Sequence, residues 1–432
     1  VVPPLHGGTS TMKVEMPFNV MKENITVELP DDQHVQVITP KPVEARSIES
    51  EVKRALRNSY FKRIMKKVDE GSRVAILIDD HTRPTPTKEV LPIIINEIEA
   101  RGGSVEVIYA KGTHEPPPPH FLEKKVSREI LEKYSFTMHD AYHGDYTFKG
   151  LTSLGTPVWI NSLAANADIR IGIGSIFPSE VAGFTGGCKI LLPGISSYLT
   201  INRNHSLFIS PKAKIGSMTE NPVRKDIDEA GLIGELNAII NFVMTADGRV
   251  VKAFSGHPIK AHRSGVKLCR EIYERKIECK ADLIIISPGG TEDIDFVQAV
   301  KAIFMADAIC KDGGTIILVA ACPLGTQWPE LEEYLHEVRS KNKSREQILK
   351  DIISGKIESI MGAILYKKYH LIIEKRKKIL VYTKGLNREQ ISNLGFEPIE
   401  DLQSTVNEEV KNKRRILVLP YGAYNWVKVE GD

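Results

Sequence analysis

Residues 74–110 read VAILIDDHTRPTPTKEVLPIIINEIEARGGSVEVIYA, and this stretch decides the fold class. The apolar run Val74–Ile78 has the length and β-branched content of a buried strand. A helix is predicted over Lys88–Arg101, with apolar residues on one face and Gly102-Gly103 as its stop. A second strand follows at Val105–Ala110. Two strands joined through a helix lie parallel, because a tight turn cannot make that crossover. The chain is therefore read as α/β.

Working outward, Val14–Leu29 reads as a β-hairpin turning at Lys22-Glu-Asn24. Ser47 is placed as the cap of a helix with apolar residues at Ile48, Val52, Leu56, Ile64 and Val68. Downstream come a helix over Phe121–Lys133, a strand at Ala167–Gly174, strands at Ala238–Met244 and Val250–Phe254, and a helix over Ile259–Arg275. Between them, residues 175–215 carry Gly183, Gly186, Gly187, Gly194, Pro178 and Pro193 with little strand pattern. A structured loop of that length is usually functional. A second α/β series follows, with strands at Leu283–Ser287, Thr315–Ala320, Ile379–Thr383 and Ile416–Leu419. The expected organisation is two α/β domains with mostly parallel sheets, 12–275 and 280–412. A terminal strand and tail, 413–432, is free to return to the first domain, and the active site is expected in the interdomain cleft.

The 432 residues exceed one ordinary core. Hydrophobic residues make up 42% and charged residues 26%, with a net charge of +3 and the two signs interleaved. That balance speaks against a nucleic-acid or membrane-surface partner. The basic clusters at 375–378 and 411–415 each precede an apolar strand and read as solvated helix ends. The five cysteines lack any CxxC pairing, which fits a reducing compartment and a cytoplasmic location. No apolar run approaches the roughly 18 residues of a membrane span. Residues 1–11 have neither a basic nor an apolar targeting region; they read as a leader segment and stand outside the fold reading.

Three unusual loops follow strands. They are Asp79-Asp80-His81-Thr82-Arg83-Pro84, Lys111-Gly112-Thr113-His114-Glu115, and Gly183-Phe-Thr-Gly186-Gly187-Cys188-Lys189. In open parallel sheets the carboxyl ends of strands are where loops converge on ligands. Arg83 suits a bidentate carboxylate grip held by Asp80; the plainer reading is a loop salt bridge. His114 suits acid/base work, against a merely hydrogen-bonded loop histidine. Gly186-Gly187-Cys188-Lys189 is not a P-loop, since Cys188 and Ile190 stand where Gly and Ser/Thr are needed. Lys189 beside Ile190-Leu-Leu192 reads either as a partly desolvated amine fit for covalent attachment or as a solvated loop lysine. His205, in Asn204-His205-Ser206, is a candidate metal ligand. His139, Asp140 and His143 form a further polar cluster with weak zinc-like spacing. Gln298 and Lys301, three apart on one helix, share a face. No GxGxxG follows a strand with an acid about twenty residues on, which argues against a nicotinamide dehydrogenase.

At these residues the sequence resembles the nickel-pincer lactate racemase family. The matching pieces are Asp79-Asp80-His-Thr-Arg83, Gly112-Thr-His114, Ala182-Gly-Phe-Thr-Gly-Gly-Cys-Lys189 through Leu192-Pro-Gly194, Asn204-His205-Ser206 and Gln298-Ala-Val-Lys301. They span essentially the whole chain from Met12. The resemblance implies nickel held in a pyridinium-3,5-bisthiocarboxylic acid mononucleotide (the nickel-pincer nucleotide), supplied by cofactor-maturation enzymes. It implies that Lys189 binds the cofactor covalently, beside Gly186 and Gly187, and that His205 ligates the nickel. Asp80 and Arg83 would organise the site and the substrate carboxylate, and Gln298 and Lys301 would contact substrate or cofactor. The implied reaction is racemisation or epimerisation of a 2-hydroxy acid by proton-coupled hydride transfer, through a bound 2-keto acid.

The family uses two histidines as bases. The first aligns with His114; where the second belongs, ten residues before Lys189, this chain has Ser179. A serine hydroxyl titrates too high to replace it. Three explanations stand open: Glu180, His143 or His139 supplies the second base; His114 serves both faces; or racemase activity is lost and the protein binds a hydroxy acid or nucleotide. Val297, where a tyrosine often precedes the Gln-x-x-Lys, removes a hydroxyl contact. Both departures point away from lactate toward a longer or polyhydroxylated 2-hydroxy acid.

Overall fold

A computed structural model describes residues 10–431 except 19, 21, 32, 33, 328, 375 and 412. Most of the proposed leader, and Lys375 and Asn412 of the basic clusters, lie outside the described residues. The chain forms two compact units, each built on a six-stranded sheet.

The first unit comprises Lys41–Tyr273 and Ser344–Lys367. Its sheet runs in the order Val250–Gly256, Ala238–Met244, Ile169–Ile176, Arg73–Asp79, Ser104–Ala110, Ser135–Met138. All neighbours are parallel except the first pair, which is antiparallel. The crossover helix Thr87–Glu99 buries Val90, Leu91, Ile94, Ile95 and Ile98 on one face. Ile169–Ile176 and Ala238–Met244 are buried along their whole length, as expected of strands covered on both faces. One side of the sheet is a core of Ala75, Leu77, Ile108, Leu191, Leu192, Ile227 and their neighbours.

The second unit comprises the described residues up to Pro40, Glu274–Lys343 and those from Lys368 onward. Its all-parallel sheet runs Glu397–Pro398, Lys378–Thr383, Cys310–Ala320, Ala281–Ile286, Ile416–Leu419, Val35–Val37. The hairpin Thr11–Phe18/Glu23–Pro30 buries Met16, Phe18, Val27 and Leu29 in this unit's core, against Leu283, Ile317 and Val418.

This division corrects the linear boundaries. The hairpin lies in the second unit rather than in a domain 12–275, because its apolar face completes that core. Residues 344–367 leave 280–412 for the first unit, where Ala363 is buried and Ser359 N–H donates to Asn202 Oδ1 (2.7 Å). The tail 413–432 does not return to the first unit: Ile416–Leu419 is in the second sheet, and Trp426–Val429 pairs with Glu274–Ile277.

Two predicted helices are broken. Asn58 caps a second helix, Ser59–Met65, after Ile48–Ala55. Ser127 likewise starts Arg128–Lys133 after Pro119–Lys125. Such side chains satisfy the free N–H groups of a new helix and so mark its start. Among the described residues no helix is long and apolar enough to cross a membrane.

Candidate active site

In the first sheet the strand order reverses between Arg73–Asp79 and Ile169–Ile176. The crevice beyond the carboxyl ends at such a reversal is where open α/β sheets bind ligands. Both strands run straight into unusual loops there.

The first loop turns at once, with Arg83 N–H donating to Asp80 O (3.1 Å). The Asp80 side chain is buried; Oδ1 accepts from Thr82 N–H (3.0 Å) and Thr82 Oγ1 (2.5 Å), and Oδ2 accepts from His114 Nδ1 (2.5 Å). Burial by itself would raise this carboxyl. The charge and hydrogen bond of His114, then the Arg83 charge, outweigh it and hold Asp80 well below the usual carboxylate range. With Nδ1–H committed to Asp80, His114 turns its Nε2 outward, and its side chain keeps 31% exposure. Behind it, His81 N–H donates to Tyr109 Oη (2.6 Å), and His81 Nδ1 lies 3.1 Å from the same oxygen. Burial pushes His81 down to about 4, so it stands neutral in the wall.

The second strand leads into a two-residue hairpin, Pro178–Ser179 against Gly183–Phe184, and Ser179 Oγ accepts from Ala182 N–H (3.4 Å). The glycines beyond it are required by crowding. Gly186 and Gly187 adopt φ 77° and 64°, a region costly to other residues. A Cβ on Gly186 would sit 2.9 Å from both Asn241 Oδ1 and Ser175 O, and one on Gly187 2.8 Å from the His262 ring. The loop is held by residues that the sequence reading missed. Fully buried Arg224 donates to the carbonyls of Ala182 (3.1 Å), Gly186 (3.3 Å) and Phe184. Asn241 Oδ1 accepts from Gly187 N–H (2.6 Å), and His262 Nε2 donates to Thr185 O (2.7 Å). Lys189 follows, half-buried, in the 3-10 turn Gly187–Ile190.

His205 lies on the helix Tyr198–Ser206 and donates Nδ1–H to Ile201 O (2.9 Å). That bond fixes the tautomer and leaves the Nε2 lone pair for a metal. Burial first, then the neighbouring Lys189 and His114 charges, push His205 down to about 3, so it is neutral at physiological pH. Its neighbour Asn204 is an anchor, donating to Asp226 Oδ2 (2.8 Å) and Val223 O (3.3 Å). Arg83 and His114 both lie near enough for their charges to act on Asp80, and Lys189 and His114 near enough to act on His205, which draws these residues into one neighbourhood.

The remaining predicted residues fall elsewhere. His139 is fully buried, donates Nε2–H to Ser196 O (2.9 Å) and is pushed by burial down to about 4. His143 is exposed, with Nδ1 3.6 Å from Asp140 Oδ2. Among the described residues no group of three or more His, Cys, Asp or Glu side chains is placed to hold a metal, so the weak zinc-like spacing at 139–143 forms no such cluster. Gln298 and Lys301 are in the second unit, on Phe296–Ile309. Lys301 Nζ donates to Gln298 Oε1 and to Glu292 Oε2 (2.5 Å), which confirms the shared face.

An imidazole held by a buried carboxylate thus stands beside the order reversal of a mostly parallel sheet, in an α/β protein of two such units. Comparison with known proteins makes this specific. Residues 21–216 match the lactate racemase N-terminal domain and residues 277–425 the lactate racemase C-terminal domain. A lactate racemase of Thermoanaerobacterium thermosaccharolyticum is 31% identical over 424 residues, covering 95% of this chain and 97% of that one. One of Lactiplantibacillus plantarum is 30% identical over 423 residues, covering 95% and 98%. The structure of the T. thermosaccharolyticum lactate racemase apoprotein aligns with a TM-score of 0.83 at 30% identity, over 96% of this chain and all of that one. A crystal structure of a Thermotoga maritima protein, 17% identical over 90% of this chain and all of its own, shares the fold with a TM-score of 0.71. The chain belongs to the lactate racemase family.

Proposed function

We propose that the protein is a racemase or epimerase of a 2-hydroxy acid that works with a nickel-pincer nucleotide loaded by maturation enzymes. The observation that carries this reading is the Asp80–His114 pair, with the Arg83 charge acting on Asp80 and both His114 and Lys189 acting on His205.

The donor set fits the cofactor. With no side-chain cluster able to hold a metal among the described residues, a protein-only metal site has no support. A single neutral imidazole with Nε2 open fits a metal whose other ligands arrive with an organic cofactor, and imidazole suits nickel. Lys189 is the residue for the covalent link, on a backbone shaped by Gly186 and Gly187, and His205 is the nickel ligand. When bound, the group supplies reversible hydride acceptance from the substrate carbon.

The chain's own residues do the rest. Arg83 grips the substrate carboxylate. His114 Nε2 takes the 2-hydroxyl proton and returns it, and Asp80 stabilises the imidazolium while fixing its tautomer. Gln298 and Lys301 keep the role of contacting substrate or cofactor. For the opposite face, Ser179 is committed to its turn, His139 is enclosed and His143 is solvated. We therefore assign proton transfer to His114, with Glu180 as the group to test for the second face. A second reading, a binder of a hydroxy acid or nucleotide without racemase activity, is favoured by one observation: no base stands at Ser179.

The test is chiral analysis of enantiopure 2-hydroxy acids incubated with protein co-expressed with the maturation enzymes. Racemisation that His114→Ala lowers by about 100-fold or more supports the assignment. Undiminished turnover in that variant overturns it.

A further inference from the structure

Lys125 closes the helix Pro119–Lys125, and its side chain is only 5% exposed, whereas Lys124 beside it is exposed over the Phe121 ring. A lysine at a helix end is ordinarily solvated, so burial of this one asks for a reason. Its Nζ lies 2.6 Å from Asp79 Oδ1 and donates to the carbonyls of Arg83 (2.9 Å) and Thr85 (3.3 Å). One ion pair and two hydrogen bonds of this ammonium thus all fall on the segment from Asp79 to Thr85. From within, Thr85 Oγ1 donates to Asp79 Oδ2 (2.5 Å), closing the segment on itself. Asp80 and Arg83 sit between these anchors.

We propose that Lys125 is a positioning residue: its ammonium holds the loop backbone so that Arg83 and Asp80 meet substrate and His114 in a fixed register. Lys125 also stands on the helix that follows the His114 loop in sequence, so its bonds fasten one strand-end loop to the element that continues from the other. The role deepens the reading of Arg83 as the carboxylate grip and rests on it. A mere counter-ion for Asp79 would need only the first of the three contacts. The two carbonyl contacts are what a positioning role requires.

Two variants separate these roles. Lys125→Met removes all three contacts but leaves Asp79 buried without a counter-charge, with only the Thr85 hydroxyl bonded to it. The double variant Asp79→Asn/Lys125→Met also removes that charge. Hydrogen–deuterium exchange is read on both proteins without cofactor, and KM and kcat on the loaded enzymes. In both variants, amides 80–85 are expected to exchange at least about tenfold faster than in the wild type, with the strand Ser104–Ala110 unchanged. KM for the 2-hydroxy acid is expected to rise by up to about 100-fold, with a smaller change in kcat. A double variant that folds with wild-type loop protection and wild-type KM overturns the proposal, because Lys125 then only neutralises Asp79. The exchange measurement decides the matter even if the wild type turns over no 2-hydroxy acid; that result would count against the proposed reaction alone.

Discussion

Each six-stranded sheet has a reversal of strand order, and each places a buried aspartate in the loop beyond one of the strands that meet there. In the first unit the reversal lies between Arg73–Asp79 and Ile169–Ile176, and the aspartate is Asp80. In the second it lies between Ala281–Ile286 and Ile416–Leu419, and the aspartate is Asp293. Asp80 has His114 on one oxygen, Thr82 on the other and Arg83 nearby, and is held far below the usual range. Asp293 Oδ1 accepts from Ala321 N–H (2.6 Å), while among the described residues its Oδ2 has no hydrogen-bond partner; burial pushes it up to about 8. Burial is common to both, so partners decide the charge. One aspartate is a permanent anion that can orient a base; the other is a neutral acid near physiological pH. Similar topology thus supports different chemistry, which lies in the loops.

The comparison can be broken at Asp80 with the largest effect. Asp80→Asn leaves His114 without its carboxylate and is expected to cost about 3 kcal/mol of stability by urea unfolding. It is also expected to lower turnover by at least about tenfold. A variant unchanged in both would mean that Asp80 is not the anion described.

A smaller loss is expected at the neighbouring loop. Gly187→Ala meets both a positive φ and the His262 ring, at a cost of about 1–3 kcal/mol. Thermal unfolding of the apoprotein measures it, and an unshifted transition would refute the crowding argument.

The smallest effect is expected at Asp293. Its folded-state pKa lies above its ordinary 3.8. As pH rises, the unfolded chain releases this proton first, so the folded state binds more protons between about 4 and 8. The stability contributed is full below about 4 and is lost as pH climbs through about 8. Asp293→Asn keeps the acceptor for Ala321 and is expected to compare best with the wild type below pH about 4, and to gain on it by about 1 kcal/mol or more between pH about 5 and about 9. Parallel pH dependences in urea unfolding would show that Asp293 is not neutral.

Much of this was legible in the sequence. The βαβ reading of 74–110, the three strand-end loops and the glycine-rich segment all rest on local pattern, and the structure keeps each of them. What escaped depends on distant partners. Arg224, Asn241 and His262 look like ordinary helix and strand residues until their side chains meet the backbone of 182–187. Lys125 reads as one more basic residue at a helix end, because burial of an ammonium is set by the loop it meets. The hairpin and residues 344–367 changed units because an apolar face announces that it will be buried but not against which core. The strand Ser135–Met138 and the hairpin Tyr146–Leu151/Pro157–Asn161 stand outside the predicted elements, since edge elements carry little of the apolar periodicity that marks a central strand.

We propose that Lys189 and His205 serve a covalently held nickel cofactor. The most direct measurement is intact mass and nickel content of wild type and Lys189→Ala, each co-expressed with the maturation enzymes. A lysine-linked adduct with about one nickel per chain is expected in the wild type and neither in the variant. An adduct that survives in Lys189→Ala would contradict the proposal, as would a wild type without adduct or nickel in a system that loads another family member.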